Sequence, residues 1–444
     1  MSNRLFCACI LLCLFCVPLF GCAKKTPKPT PSPQPTVSIE DERTFPQDIT
    51  YYAKRAGTNK RLLSADQQAQ ANQRFTSVFF GPWHMEQGTT KASDAVIRKA
   101  RGYKLGGERW SQEEWDDIVE NANMGRYPSD AQPAIIVKNT DLRQMPTHNP
   151  RYDKPIVDAY QYPFDDFQYS LLAVGMPVFR THISRDTRFV FVETPLAAGW
   201  VDAEDVADVD QSFINAWEAL PQGAILRDGI AVKGLGTPLN IGTMLPIKEQ
   251  SGKQKTVLLP VKTKTGTSVR TIHLPSSDIA LRPLPLTPKA MAQLIARLHG
   301  QHYGWGGMYG LRDCSATTHD LLAPFGIWLP RNSRAQQRQG VVIDLSSMDR
   351  EAKEQTIAQY GTPFLSLVGL PGHITLYVGT HNGRVAILHN IWGVRTYEGE
   401  NDNGRHIIGK TVITSLTPGW ELPNLYRKRI FIDRVRALAT PGAH

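Results

Sequence analysis

The sequence predicts an α+β protein of several units: a helical N-terminal segment, two small β-barrels and a C-terminal unit that mixes helices with an antiparallel hairpin. Three observations carry this expectation. The chain has 444 residues, room for two to four domains at roughly 100 to 200 residues each. Helical signatures with capping motifs concentrate before residue 125 and again after 287, whereas the stretch from about 160 to 280 reads as short strands between turn residues. The 41% hydrophobic share suits ordinary globular domains and excludes wholesale disorder.

One long apolar run exists, Leu5 to Phe20, preceded by Arg4. It is short of the roughly 20 residues a membrane span needs, so residues 1–21 read as a signal peptide. The Leu19-Phe20-Gly21-Cys22 ending resembles a bacterial lipobox. That implies a diacylated Cys22 and an exported, membrane-anchored lipoprotein facing the periplasm. Ala23 after the cysteine points to the outer membrane. Residues 22–45 follow as a linker whose prolines at 27, 29, 31, 33 and 35 favour an extended, semi-rigid spacer.

Of the six cysteines, Cys7, Cys9, Cys13 and Cys16 leave with the signal and Cys22 carries lipid, so Cys314 is the sole mature thiol. An intramolecular disulfide and a cysteine zinc site are excluded, and no metal or cofactor is expected. The mature chain keeps 49 basic and 41 acidic residues, a net +8. Modest positive charge suits anionic headgroups or an anionic wall polymer. The sequence carries no dense Lys/Arg block and no nucleic-acid motif, so nucleic acid is not an expected partner.

Residues 46–150 are expected to be helical. Ser64-Ala-Asp-Gln67 is a capping box opening a run to Phe80, stopped by Gly81-Pro82. Ser111-Gln-Glu-Glu114 opens another, with Trp115, Ile118, Val119 and Ala122 on one face. Phe79, Phe80 and Trp83 read as core. The first barrel is expected over 151–220, from strands at 176–180, 188–193 and 199–201, and the second over 221–285, from 256–262 and 268–273 joined by a Lys264-Thr265-Gly266 turn. Gly175-Met-Pro-Val-Phe179 and Gly199-Trp-Val201 resemble bacterial SH3 domains. The Pro-rich 282–288 segment is a boundary, and the C-terminal unit spans 286–444. It opens on a helix with Thr287 as cap, Pro288 at its first position, and Met291, Leu294, Ile295 and Leu298 on its apolar face.

The chemistry concentrates in Tyr303-Gly-Trp-Gly-Gly-Met-Tyr-Gly-Leu-Arg-Asp313-Cys314-Ser315. Four glycines in seven residues demand an irregular, closely approached backbone. Cys314 then opens a helix, where unpaired N–H groups and the dipole favour a thiolate and serve an oxyanion. A thiol nucleophile needs a base from elsewhere. His319 lies about 140° around the helix from Cys314 and reads as surface or core filler. His373 and His389 flank a His381-Asn382-Gly383 turn. A two-residue turn would put them on opposite faces; a three-residue loop with Gly383 left-handed pairs His389 with Thr375 and puts both on one face. The three-residue loop is the chemically useful one. It makes His373 the base and His389 the residue that orients it, with His381 solvated.

Tyr303-Gly-Trp-Gly-Gly, Asp313-Cys314-Ser315, Leu329-Pro330-Arg331-Asn-Ser333 and Gly372-His373 followed by His389 resemble the NlpC/P60 cysteine peptidases over about 287–415. Ala316 stands where that family more often has glycine. Phe80-Gly-Pro-Trp83 and the paired SH3-like units resemble its multidomain γ-D-glutamyl-L-diamino acid endopeptidases. The resemblance implies a papain-like catalytic domain, a Cys314-His373-His389 triad and acyl-enzyme chemistry on peptidoglycan stem peptides or muropeptides. It further implies Asp313 binding the amine of a terminal L-alanine, assisted by Ser315, with Tyr303 donating to the oxyanion and the first SH3 module narrowing the cleft. Trp305 and Arg331 read as structural. The alternatives are an amidase or acyltransferase on the same fold, or a non-catalytic wall-binding lipoprotein.

Overall fold

A computed structural model describes residues 38–159, 162–399 and 401–442. The expected signal peptide, Cys22 and the proline run lie outside the described residues. No helix among the described residues is long and apolar enough to cross a membrane.

The two capping boxes form as expected: Ser64 and Ser111 each accept from the third helical N–H of Ala65–Phe80 and Gln112–Asn121, and Gln67 and Glu114 answer from the other side. After these helices run seven strands, β1 Gln132–Ile136, β2 Thr140–Arg143, β3 Gln168–Leu172, β4 Pro177–Ile183, β5 Phe189–Glu193, β6 Ala198–Asp202 and β7 Val206–Asp208. They make one sheet in the order β3-β2-β6-β5-β4-β1-β7. β1 and β2 fall inside the segment expected to be helical. Strands of four and five residues, one of them interrupted by Pro133, are too short for a period to declare itself.

A second antiparallel sheet is built from β8 Gln222–Ile225, β9 Met244–Ser251, β10 Gln254–Thr263, β11 Gly266–Pro275 and β12 Ile279–Leu281, ordered β11-β10-β9-β8-β12. The two sheets share one apolar core with Phe75, Phe79, Phe80 and Trp83 of the N-terminal helical segment. Trp83 Nε1 donates to the Ala134 carbonyl at 2.7 Å, so this aromatic cluster is packing, as expected.

The C-terminal unit sets helices Pro288–Leu298 and Cys314–Leu322 against a six-stranded sheet. Its strands are β13 Val341–Asp344, β14 Leu367–Leu370, β15 His373–His381, β16 Arg384–Glu398, β17 Asn401–Thr414 and β18 Ala437–Thr440, ordered β13-β18-β14-β15-β16-β17. Thr287 caps the first helix, with Pro288 at its first position. The glycine loop presses on the first sheet: a Cβ on Gly306 (φ +58°) would stand 2.6 Å from Gln168 Cγ, and one on Gly307 (φ +82°) 2.6 Å from Leu171 Cβ. Only glycine fits this approach.

Candidate active site

Cys314 is the first residue of its helix, and Asp313 is the cap, accepting the Ala316 N–H at 2.8 Å. Cys314 is buried, with 7% of the residue exposed, and the backbone N–H groups of Ile374 and Ser315 donate to its sulfur. The nucleophile candidate therefore rests against the start of β15, at Ile374, the residue after His373.

The β15–β16 hairpin reaches the expected face by a different route. His381 pairs with Arg384 and Thr380 with Val385, so the turn has two residues, not three. Asn382 (φ 49°) and Gly383 (φ 78°) are both left-handed, as a type I′ turn requires. A bulge between Tyr377 and Gly379 then shifts the register by one, giving Leu376 opposite Leu388. One extra residue exchanges the faces of everything beyond it, and the two histidines meet: His373 Nε2 lies 2.9 Å from His389 Nδ1.

Proton positions follow from the end of the chain of contacts. Thr414 Oγ1 donates its single proton to the Ser415 carbonyl at 2.8 Å. It therefore accepts from His389 Nε2–H at 3.1 Å. His389 Nδ1 is then the acceptor for His373 Nε2–H, which leaves His373 Nδ1 as the basic nitrogen. Phe431 covers both rings, with centroids 5.6 Å from each. Thr414 has no motif to announce it; it is found only through the β16–β17 pairing.

The expected low thiol pKa is not what this environment produces. Burial, followed by the adjacent Asp313 carboxylate, pushes the Cys314 thiol up to about 12. Burial, and next Arg434, pulls His373 down to about 3, and burial with the neighbouring His373 takes His389 well below its ordinary value. At rest both groups are neutral, a thiol and an imidazole, because desolvation outweighs the helix terminus.

Asp313 is occupied. Beyond the cap, Oδ1 accepts from Ser315 Oγ at 3.1 Å and Arg331 Nη1 at 3.2 Å, while Oδ2 accepts from Arg331 Nη2 at 2.8 Å and the Gly306 N–H at 3.2 Å. Burial opposes its charge, but Arg331 wins and holds the carboxyl below its ordinary range. Arg331, read from sequence as structural, thus binds the residue beside the nucleophile; it also donates to Ser315 Oγ at 2.9 Å and to Ser170 Oγ of β3 at 2.8 Å. Trp305 is structural as expected, its Nε1 donating to the Asp165 carbonyl at 2.9 Å. His319 is buried against Trp328, whose ring centroid lies 5.0 Å away. His381 is half-buried rather than solvated, because Tyr51 OH bonds its Nδ1 at 2.9 Å.

Tyr303 lines the same cavity as His373. Its phenol pKa is raised by burial and then by Asp313 and Cys314, which places its hydroxyl in the field of the sulfur. Phe164, from the loop before β3, stands 5.1 Å from Trp305, 6.0 Å from Trp392 and 6.3 Å from Tyr303 between ring centroids. The first sheet's unit therefore supplies one wall of the cleft.

Three family models match the chain in order: the NLPC_P60 stabilising domain, N-terminal, over residues 11–127, an SH3 domain of SH3b1 type over 150–202, and the NlpC/P60 family over 300–399. No curated protein matches. Among solved structures, an NlpC/P60 endopeptidase from Photobacterium damselae subsp. piscicida superposes with a TM-score of 0.80 at 24% identity, covering 92% of this chain and 99% of that one. An NlpC/P60 family protein from Bacillus cereus ATCC 10987 has a TM-score of 0.45 at 16% identity, covering 69% of this chain and 99% of its own. With a helix-opening cysteine, a paired histidine hairpin and these three segments in one order, the chain carries an NlpC/P60 domain over residues 300–399 and matches the multidomain, SH3-containing NlpC/P60 architecture.

Proposed function

We propose that this protein is a cysteine endopeptidase that hydrolyses the γ-D-glutamyl bond to the diamino acid in peptidoglycan stem peptides. The observation that carries the reading is the Thr414-His389-His373 relay at the start of β15, whose next residue, Ile374, donates its backbone N–H to the Cys314 sulfur. His373 Nδ1 takes the thiol proton as sulfur bonds to the scissile carbonyl carbon. The oxyanion is received by backbone N–H at the helix start and by Tyr303. His373 then passes the proton to the leaving amine as the C–N bond breaks, and water, deprotonated by the same imidazole, cleaves the thioester and restores the thiol.

Incubating the purified protein with L-Ala-γ-D-Glu-diamino acid peptides, and reading products by mass spectrometry, tests this. The wild type should release the diamino acid segment and Cys314→Ala should release none; an unchanged rate in the variant would sink the assignment. Hydrolysis of wall amides other than the γ-D-glutamyl bond would favour an amidase. Tethering through a lipid on Cys22, facing the periplasm, is part of the same proposal, and metabolic labelling with a palmitate analogue that persists in Cys22→Ser would refute it.

A further inference from the structure

Two basic pairs, Lys54-Arg55 and Lys60-Arg61, meet at the end of helix Ile49–Arg55, and the fold adds a fifth cation to them. The helix buries Ile49, Tyr52 and Ala53 in the cluster that holds Met291 and Ile295 of helix Pro288–Leu298, which leaves Lys54 and Arg55 outside. Gly57, left-handed at φ +84°, then folds the chain back, and the Lys60 N–H donates to its carbonyl at 2.8 Å. The loop is pinned to the start of the later helix: the Lys289 N–H donates to the Thr58 carbonyl at 3.0 Å and the Leu62 N–H to the Leu286 carbonyl at 3.0 Å. All five cations are exposed, and none has an ion-pair partner among the described residues. Arg55 lies over the Tyr51 ring at 4.7 Å. Exposed arginines elsewhere do meet carboxylates, Arg185 with Glu120 and Arg350 with Asp433. Here Asp48 caps the opposite end of the helix, and between residues 49 and 70 the only carboxylate is Asp66, in the first turn of the next helix. Positive charge gathered in this way raises a potential that favours a polyanion.

We propose that this patch docks the N-terminal segment onto an anionic phospholipid surface. Long side chains with no partner to fix them suit the diffuse charge of a headgroup layer, where each lysine or arginine adds a similar increment, more than the fixed geometry of a two-point anion site. Reach favours the same occupant. Ser38, the first described residue, lies 16 residues beyond Cys22, a stretch of chain that spans about 55 Å at most. A tether on Cys22 therefore keeps a bilayer within range of this segment at a high effective concentration. The inference goes beyond the reaction assigned above and rests on the tether proposed with it, to which it adds a second, electrostatic contact.

The test sediments the chain from Ala23 onward, which lacks the lipid and keeps every described residue, with vesicles of phosphatidylglycerol and phosphatidylcholine in equal parts and with vesicles of phosphatidylcholine alone. Binding should be confined to the anionic vesicles and should fall as salt rises. Lys54→Gln, Arg55→Gln, Lys60→Gln and Arg61→Gln together should weaken it about a hundredfold or more, at roughly fivefold for each cation. Lys233→Gln, Lys248→Gln, Lys253→Gln and Lys264→Gln together remove the same charge from exposed lysines of the second sheet's unit and should weaken it less than about threefold. Urea midpoints equal to the parent's show that both variants fold. Equal weakening by the two variants would make binding a matter of net charge and overturn the inference, as would binding to neutral vesicles or to neither kind. A first variant that binds vesicles normally but no longer sediments with purified wall sacculi would assign the patch to the wall polymer instead. Because the vesicle measurement uses protein without lipid, its failure leaves the Cys22 tether standing, and failure of Cys22 labelling leaves the vesicle result standing.

Discussion

Arg331 closes a two-point ion pair on Asp313, Nη2 to Oδ2 at 2.8 Å and Nη1 to Oδ1 at 3.2 Å, one residue ahead of the candidate nucleophile. Both side chains are about nine-tenths buried. The carboxylate already accepts five hydrogen bonds, so an incoming alanine ammonium would have to displace Arg331. The dominant work of Asp313 is therefore to hold the helix start and the glycine loop. Asp313→Ala should cut cleavage of free and N-acetylated peptides by the same factor and lower the unfolding midpoint by several degrees, since breaking a buried pair costs about 3–5 kcal/mol. A loss confined to peptides with a free amine, measured by kcat/KM on both series, would instead assign the amine to Asp313.

Thr414 fixes the tautomer of His389 by accepting its Nε2–H. In Thr414→Val that acceptor is gone, Nδ1 of His389 becomes protonated in part of the population, and His373 loses its partner. The expected outcome is a fall in kcat of about tenfold, in line with other residues that orient a functional imidazole, with KM nearly unchanged. Thr414→Ser should restore the rate. A KM effect of similar size, or no rescue by serine, would mean the threonine only packs.

Much of this site was legible because its chemistry depends on local patterns. A thiol after a glycine run, with Asp313 as cap, needs only residue types and order. The shared face of His373 and His389 was legible too, but for a reason that failed: the loop has two residues, and the bulge beside Val378 restores the face. A bulge in a run of buried apolar residues leaves no sequence mark, since Tyr377, Val378 and Ala386 would suit either register. The thiol pKa was misjudged because Cys314 is buried in a cluster that includes Ile374, Leu376 and Leu388 of the β15–β16 hairpin, none of them near it in sequence. The partners of Arg331 were hidden for the same reason, being brought together only by the fold.

A neutral thiol and a neutral imidazole make a distinctive pH profile. With His373 near 3 and Cys314 near 12, kcat/KM should show no acid limb near 6.5, the ordinary histidine value, and should hold down toward pH 4 as far as the fold survives. Stability moves with the same groups. Between about 6.5 and 3 the unfolded chain binds the protons that folded His373 refuses, so stability is full above 6.5 and declines as pH falls through that window. His373→Gln should flatten part of that decline in urea midpoints taken from pH 7 to 4. An acid limb at 6 to 7 in kcat/KM would restore the thiolate–imidazolium pair.

Arg312 ties the second sheet's unit to the loop that carries Cys314. Its Nη1 and Nη2 bind the two oxygens of Asp228 at 2.6 and 2.8 Å, Nε binds Asp320 at 2.6 Å, and Nη2 reaches the Ile241 carbonyl at 2.8 Å. Asp228 and Ile241 precede β9, whereas Arg312 lies two residues before the candidate nucleophile. Replacing Arg312 by Met keeps the volume but strands two carboxylates, at a cost of about 3–5 kcal/mol, and loosens the cap of the nucleophile helix. Urea unfolding should show the lower midpoint, and kcat should fall with it. Adding Asp228→Asn to Arg312→Met removes one stranded charge, so the double variant should recover stability relative to the single. If the two losses simply add, Arg312 and Asp228 act independently, and the second unit is not what holds the nucleophile loop in place.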